Sequence, residues 1–200
     1  MDAIETLMNE HRTIERVLDA LVGFADETVR KGTTEKEELS RFVTFLREYA
    51  DASHHAKEEG VLFPSMIAHG FPAQGGPVAV MLHEHDDGRA LVSVLATRAG
   101  QDGEWTAGDR RDVAEHARAF SDLLRGHIHK EDAILYPMAV QRLPEDALED
   151  VSARCGELDA QKAAAGERLL ALADALVSSH AHAVHPDATP GATPRFGCCG

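Results

Sequence analysis

Apolar residues recur every three or four positions along most of this chain, and the runs are separated by glycine and proline. Ile4, Leu7, Met8, Ile14, Leu18, Leu21, Val22 and Ala25 trace one face of a first helix that ends at Gly32, with Asp2 and Glu5 suited to its start. Thr34 with Glu37 predicts a capping box for a second helix, whose stripe (Leu39, Val43, Leu46, Ala50) runs toward Pro64. Residues 70–76 form a Gly- and Pro-containing loop, after which Pro77 is placed to open a third helix with Val78, Met81, Leu82, Val92 and Leu95 on its buried face. A Gly-containing loop over 100–108 precedes a fourth helix with the stripe Val113, Ala117, Phe120, Leu124, Ile134 and Met138. No segment alternates in the manner of a strand. The pattern predicts an all-α, antiparallel up-down four-helix bundle over 1–143. Beyond Pro144 an alanine-rich stretch with Leu148, Val151, Leu158, Leu169, Leu172 and Leu176 predicts an additional helical segment over 144–178, broken near Gly156. A Pro-, Gly- and Ala-containing disordered tail is expected over 179–200.

Composition narrows the function. With 200 residues and 44% hydrophobic content, one main core is expected. Asp and Glu outnumber Lys and Arg by 34 to 20, for a formal charge of -14, so the chain has no basic footprint for a nucleic acid backbone. The N-terminus lacks a signal peptide's basic stretch and apolar run, and no window approaches a membrane span, so a cytoplasmic protein without a membrane partner is expected. Three cysteines (Cys155, Cys198, Cys199) do not make a disulfide framework. Histidine is the unusual residue: twelve are present.

Four of them occupy positions where the stripes call for an apolar side chain. His11 lies between Leu7 and Ile14, His54 follows Ala50, His85 follows Met81 and Leu82, and His127 follows Leu124. Each helix of the bundle thus turns one imidazole inward. Glu58 and Glu131 come four residues after His54 and His127, on the same helical face. One histidine in a stripe is by default a satisfied core residue. Four on four helices, with two inward glutamates that need a compensating charge, point to a metal pair. The segments HHAKEEGVLFP (54–64) and HIHKEDAILYP (127–137) share His, Lys, Glu, Leu and Pro in register, so helices two and four read as two copies of one donor helix. The Pro ten residues past each His is expected to leave the ligand turn regular.

With these repeats, and with EHR at helix one and EHDDGR at helix three, the chain resembles the hemerythrin-like (HHE cation-binding) family over roughly residues 1–142. The resemblance implies a bundle holding two non-haem irons in an oxo- or hydroxo-bridged centre, with His11, His54, Glu58, His85, His127 and Glu131 as ligands. Hemerythrin itself has a further histidine one turn before the position of His85, where this chain has Met81, and it ends in an aspartate five residues after its last histidine. Both departures bring the chain closer to the six-ligand iron-sulfur cluster repair proteins. Their cysteine-bearing N-terminal domain is missing from this sequence, so the repair function is not expected to carry over.

Imidazole and carboxylate donors keep iron redox active, where thiolates would favour zinc or clusters. Six protein donors for two irons leave positions open. The leading expectation is a protein that binds dioxygen or nitric oxide for sensing, carriage or detoxification. The alternatives are a di-iron peroxidase, oxidase or nitric-oxide reductase acting on peroxide or nitric oxide, and iron handling for iron-sulfur cluster repair. No E-x-x-H occurs, against a ferritin-type site, and neither HExxH nor a phosphate-binding glycine loop is present. Of the remaining residues, Glu15 is expected to be solvated or to support a ligand, and His116 to be core or supporting. His83, His55 and His129 are expected at the surface, Tyr49 and Tyr136 as packing aromatics, and His180, His182, His185, Cys198 and Cys199 in the tail. Met81, as a weak thioether, should leave one metal with fewer protein donors.

Overall fold

The computed structural model describes residues 2–180 and consists of six helices. Helix α1 spans Ala3–Lys31; the Asp2 side chain accepts from the Ile4 N–H at its start, and Gly32 closes it in the left-handed conformation (φ 71°) that glycine takes without a Cβ clash. Helix α2 runs over residues 36–68. It is α-helical over Lys36–Phe45, widens to π-helix over Leu46–His55 and Glu58–Leu62, and returns to α-helix over Phe63–Ala68. Helix α3 spans Pro77–Ala99. Helix α4 covers 107–142, with one π turn at Glu131–Leu135. Helices α5 (Glu145–Gln161) and α6 (Ala163–His180) follow.

Several expectations need correction. The capping box lies not at Thr34 but at Thr106–Asp109, which opens α4; Thr34 instead accepts from the Trp105 N–H at 2.9 Å and ties the two loops together. The turns after the ligand histidines are not regular. In each repeat the residue before proline donates its N–H to the carbonyl of the inward glutamate five residues back, Phe63 to Glu58 and Tyr136 to Glu131. Proline lacks an N–H and its ring crowds the carbonyl four residues earlier, and a wider turn relieves both problems. The Gly60 carbonyl, left without Pro64 as a donor, accepts from Arg154 at 3.2 Å. The C-terminal segment breaks at Lys162 rather than Gly156, where the Lys162 ammonium reaches the Ala52 carbonyl across the fold. Ser179 and His180, expected in the tail, are helical, and His180 Nε2 lies 3.0 Å from Glu38. The rest of the expected tail, with His182, His185, Cys198 and Cys199, lies outside the described residues.

The core divides in two. One apolar cluster gathers Leu18, Leu21, Phe24, Phe42, Phe45 and Phe120 with Leu169 and Leu176 of α6. The other gathers Ile4, Leu7, Leu62, Met66, Val78 and Met81 with Val151 and Cys155 of α5. His11 follows Leu7 of the second cluster and precedes Ile14 of the first, so a polar layer separates them. The two C-terminal helices each seal one of the clusters.

Candidate metal centre

That polar layer contains His11, His54, His85, His127, Glu58 and Glu131, all at most 1% exposed. The imidazoles meet in pairs, with 2.9 Å between the Nε2 atoms of His11 and His54 and 3.1 Å between those of His85 and His127. Each glutamate spans the pairs. Glu131 Oε2 lies 3.2 Å from both His11 and His127, and Glu58 Oε2 lies 3.7 Å from His54 and 3.5 Å from His85.

The orientation of the rings comes from a second set of carboxylates that the sequence reading did not single out. His11 Nδ1 donates to Asp132 at 2.7 Å, His54 to Glu10 at 2.8 Å, His85 to Glu59 at 2.7 Å and His127 to Glu84 at 3.0 Å. Each carboxylate belongs to a neighbouring helix, so the four pairs close a ring α1, α4, α3, α2 and back to α1. Each is held by a cation: Arg12 on Asp132, Lys57 on Glu10, Arg89 on Glu59 and Lys130 on Glu84. The arrangement repeats the internal duplication. A signal was present in the sequence: the dipeptide Glu-His occurs at both 10–11 and 84–85, and an acid follows each inward glutamate.

This arrangement fits a metal pair. A carboxylate only accepts hydrogen bonds, so each Nδ1 carries the ring proton and each Nε2 of a neutral ring presents a lone pair. Burial keeps His54 and His85 neutral, His85 being pushed down to about 2. Facing lone pairs 3 Å apart repel unless a cation lies among them, either a metal or a proton on one ring; against its burial, Asp132 and Glu131 raise His11. Glu58 Oε2 and both oxygens of Glu131 are buried without a hydrogen bond among the described residues. Burial raises the Glu58 carboxyl well above its ordinary range; for Glu131 the imidazoles of His11 and His127 outweigh burial and hold it ionised. Orphaned anionic oxygens among converging imidazoles are what a bridging carboxylate looks like before its metals are counted. Two compact donor groups can hold an ion each: His11, His54, Glu58 and Glu131, and a second of His55, Glu58, His85 and His127.

His55 in that second group is a correction, because it was expected at the surface. It is 6% exposed, and its ring stacks on His85 with centroids 3.7 Å apart. Tyr136 is more than a packing aromatic: its hydroxyl donates to Glu58 Oε1 at 2.6 Å while its ring stacks on His11. Tyr49 packs on Phe45. Glu15 pairs with Arg12 at 2.8 Å. His116 is half-buried and turns Nδ1 to the Asp112 carbonyl rather than to the centre, and His83 and His129 are exposed. Met81 is buried in the apolar cluster next to the centre. A cavity of about 430 Å³, lined by Leu46, Val92, Phe120 and Leu124, reaches His55 and His85.

A bundle with a duplicated His-x-x-x-Glu donor helix and four inward imidazoles belongs to a defined class. The hemerythrin HHE cation-binding domain matches residues 2–139, and the chain belongs to that family, whose domain binds non-haem iron. Among curated proteins it is similar to the iron-sulfur cluster repair protein YtfE of Dickeya chrysanthemi, 38% identical over 93 residues, which are 44% of this chain and 41% of that one. It is also similar to those of Pectobacterium carotovorum (36% identical, 45% and 42% of the two chains) and Escherichia coli (32% over 105 residues, 51% and 47%). The matched stretch thus spans less than half the length of these relatives. No solved structure gives a significant match. Among the described residues no helix is long and apolar enough to cross a membrane.

Proposed function

We propose that the chain holds a di-iron centre through His11, His54, Glu58, His85, His127 and Glu131 and serves iron-sulfur cluster repair, with Glu58 and Glu131 as bridges. The observation that carries the metal reading is the pair of buried glutamates whose oxygens lie between imidazoles without a hydrogen bond. Repair is supported by the names of the similar proteins, so the expectation that this role does not carry over is revised. When bound, the iron pair supplies one-electron chemistry and a source of ferrous ion. The protein's share is to keep four Nε2 lone pairs convergent through the Nδ1 carboxylates, to exclude bulk water with the two apolar clusters, and to admit small molecules through the cavity beside His85. That cavity favours a second reading, in which nitric oxide, dioxygen or peroxide binds or reacts at the centre.

The test is anaerobic reconstitution with ferrous iron, then incubation with an iron-depleted [4Fe-4S] hydro-lyase. Recovery of hydro-lyase activity beyond that given by the same free iron, lost in His54→Ala, is the expected result. Absence of recovery, together with saturable optical changes on titration with nitric oxide or dioxygen, would replace repair by the small-ligand reading.

A further inference from the structure

The two halves of the centre are related by the internal duplication, and comparing them position by position brings out, besides Tyr136 in the place of Phe63, one difference that adds a buried ring nitrogen. His55 corresponds to Ile128, and Asp51 to Leu124. Ile128 and Leu124 are apolar core residues, whereas His55 and Asp51 bring an imidazole and a carboxylate to the same place in the other half. We propose that His55 is a fifth imidazole donor, to the metal also held by His85, His127 and Glu58, so that the pair is asymmetric. The proposal rests on the six-donor reading above.

Three observations carry it. A donor nitrogen of His55 lies within 4.8 Å of donor atoms of Glu58, His85 and His127, as close a grouping as the other half achieves without a fifth ring. His55 also resembles the other four, although its carboxylate comes from its own helix: its Nδ1 faces Asp51 Oδ1, one turn back, at 3.4 Å, and that carboxylate is held in turn by Arg89 at 2.7 Å. The distance exceeds the 2.7–3.0 Å of the other pairs, and the Nδ1 is without a hydrogen bond, which leaves room for the ring to settle when its far nitrogen is engaged. Finally, the π-helical stretch Leu46–His55 explains how two successive residues both turn inward. A π turn holds more residues than an α turn, so neighbours are separated by a smaller rotation about the axis. The orphaned nitrogen is Nδ1, on the Asp51 side, so a shift of the ring that engages the far nitrogen need only close the 3.4 Å gap to Asp51 to satisfy both.

A fifth donor from α2 takes the role that Met81 was expected to leave vacant on α3. It also puts the better-ligated metal beside the cavity that reaches His55 and His85.

Cobalt(II)-loaded protein provides a direct count. Each ligating imidazole contributes one solvent-exchangeable, paramagnetically shifted Nδ1–H proton resonance. Wild type should give five, and His55→Ile, which installs the residue of the other half, should give four while still binding two cobalt ions. His55→Gln should lose the same resonance, which guards against a packing artefact of isoleucine. Release of one of the two ions to a chelator should accelerate about 10- to 100-fold in Asp51→Asn, the effect of losing an orienting partner, and at least as much in His55→Ile. Two bound ions with four resonances in wild type, or unchanged release of both ions from His55→Ile, would overturn the assignment of His55 alone. Failure of wild type to bind a second ion would overturn it together with the six-donor reading.

Discussion

Lys57 offers the most demanding test of how the centre is supported. It is 1% exposed, yet it carries an ammonium that touches Glu10 of α1 and lies 2.8 Å from Asp159 of α5. Glu10 in turn accepts from His54 Nδ1. Lys57→Met keeps most of the aliphatic volume and removes the charge, so the Glu10 carboxylate is left largely buried beside a neutral ring. Removing one partner of a fully buried pair costs roughly 3–5 kcal/mol. Because Glu10 is 15% and Asp159 41% exposed, and Asp159 can recover water, about 2–4 kcal/mol is the better figure here. For a domain of this size that lowers Tm by roughly 5–15 °C. Thermal unfolding of the iron-free protein, followed by circular dichroism at neutral pH, measures it without a contribution from bound metal. The sign of the pH dependence is also fixed. Burial raises the Glu10 carboxyl above its ordinary 4.5 and Lys57 pulls it back, so removing Lys57 raises it further. A carboxyl raised on folding contributes stability that is present below 4.5 and lost as pH rises through the folded value. The gap between variant and wild type should therefore be widest at neutral pH and narrow toward pH 4, where Glu10 is neutral in both states. Adding Glu10→Gln should restore most of the loss. A Lys57→Met protein within 2 °C of wild type at neutral pH, or a double variant worse than the single, would refute the reasoning.

His54→Ala and His127→Ala should each reduce the two irons per chain substantially by metal analysis, and full retention in both would sink the ligand assignment. Iron should raise Tm, because the iron-free core carries orphaned glutamate oxygens; coincident melting curves of loaded and iron-free protein would argue for a surface site. Tyr136→Phe removes the donor to Glu58 Oε1 and should cost the iron-free protein about 1–3 kcal/mol by urea unfolding, with no change in iron count. No measurable cost would mean that Glu58 finds water there.

The bundle and its inward residues were legible because burial and α-helical period coincide along most of the chain: His11, His54, His85 and His127 replace apolar residues in stripes most of whose members are buried, the exposed ones being Met8 (37% exposed) and Ile134 (50% exposed), the latter inside the π turn Glu131–Leu135. His55 was not legible by period, since an α-helix places it a large rotation away from His54, and the π-helical stretch Leu46–His55 that brings it in leaves no mark in the apolar stripe. The duplication held the clue, because its counterpart Ile128 is an obvious core residue. Glu10, Glu59, Glu84 and Asp132 were passed over for a different reason. Charged residues beside a buried face read as solvated, and their partners are on other helices, which a periodicity cannot report. Thr34 followed by Glu37 has the letters of a capping box, but a tertiary acceptor role toward Trp105 outcompetes the local bond. Gly156 reads as a breaker, yet a single exposed glycine costs a helix only about 1 kcal/mol, and the chain turns at Lys162 where a tertiary partner exists.

The polar layer between the two apolar clusters has a mechanical consequence. A hydrophobic core usually transmits cohesion through unbroken van der Waals contact, and here that continuity is interrupted across the whole cross-section of the bundle. The halves are joined by four helix backbones, by the ring of histidine–carboxylate latches and, once loaded, by the metals. Removing the ions takes away the rivet between two small cores, each capped by its own C-terminal helix. The end of the molecule sealed by α5 can then loosen without dissolving the end sealed by α6, so the centre is also the element through which the two ends share a single fate.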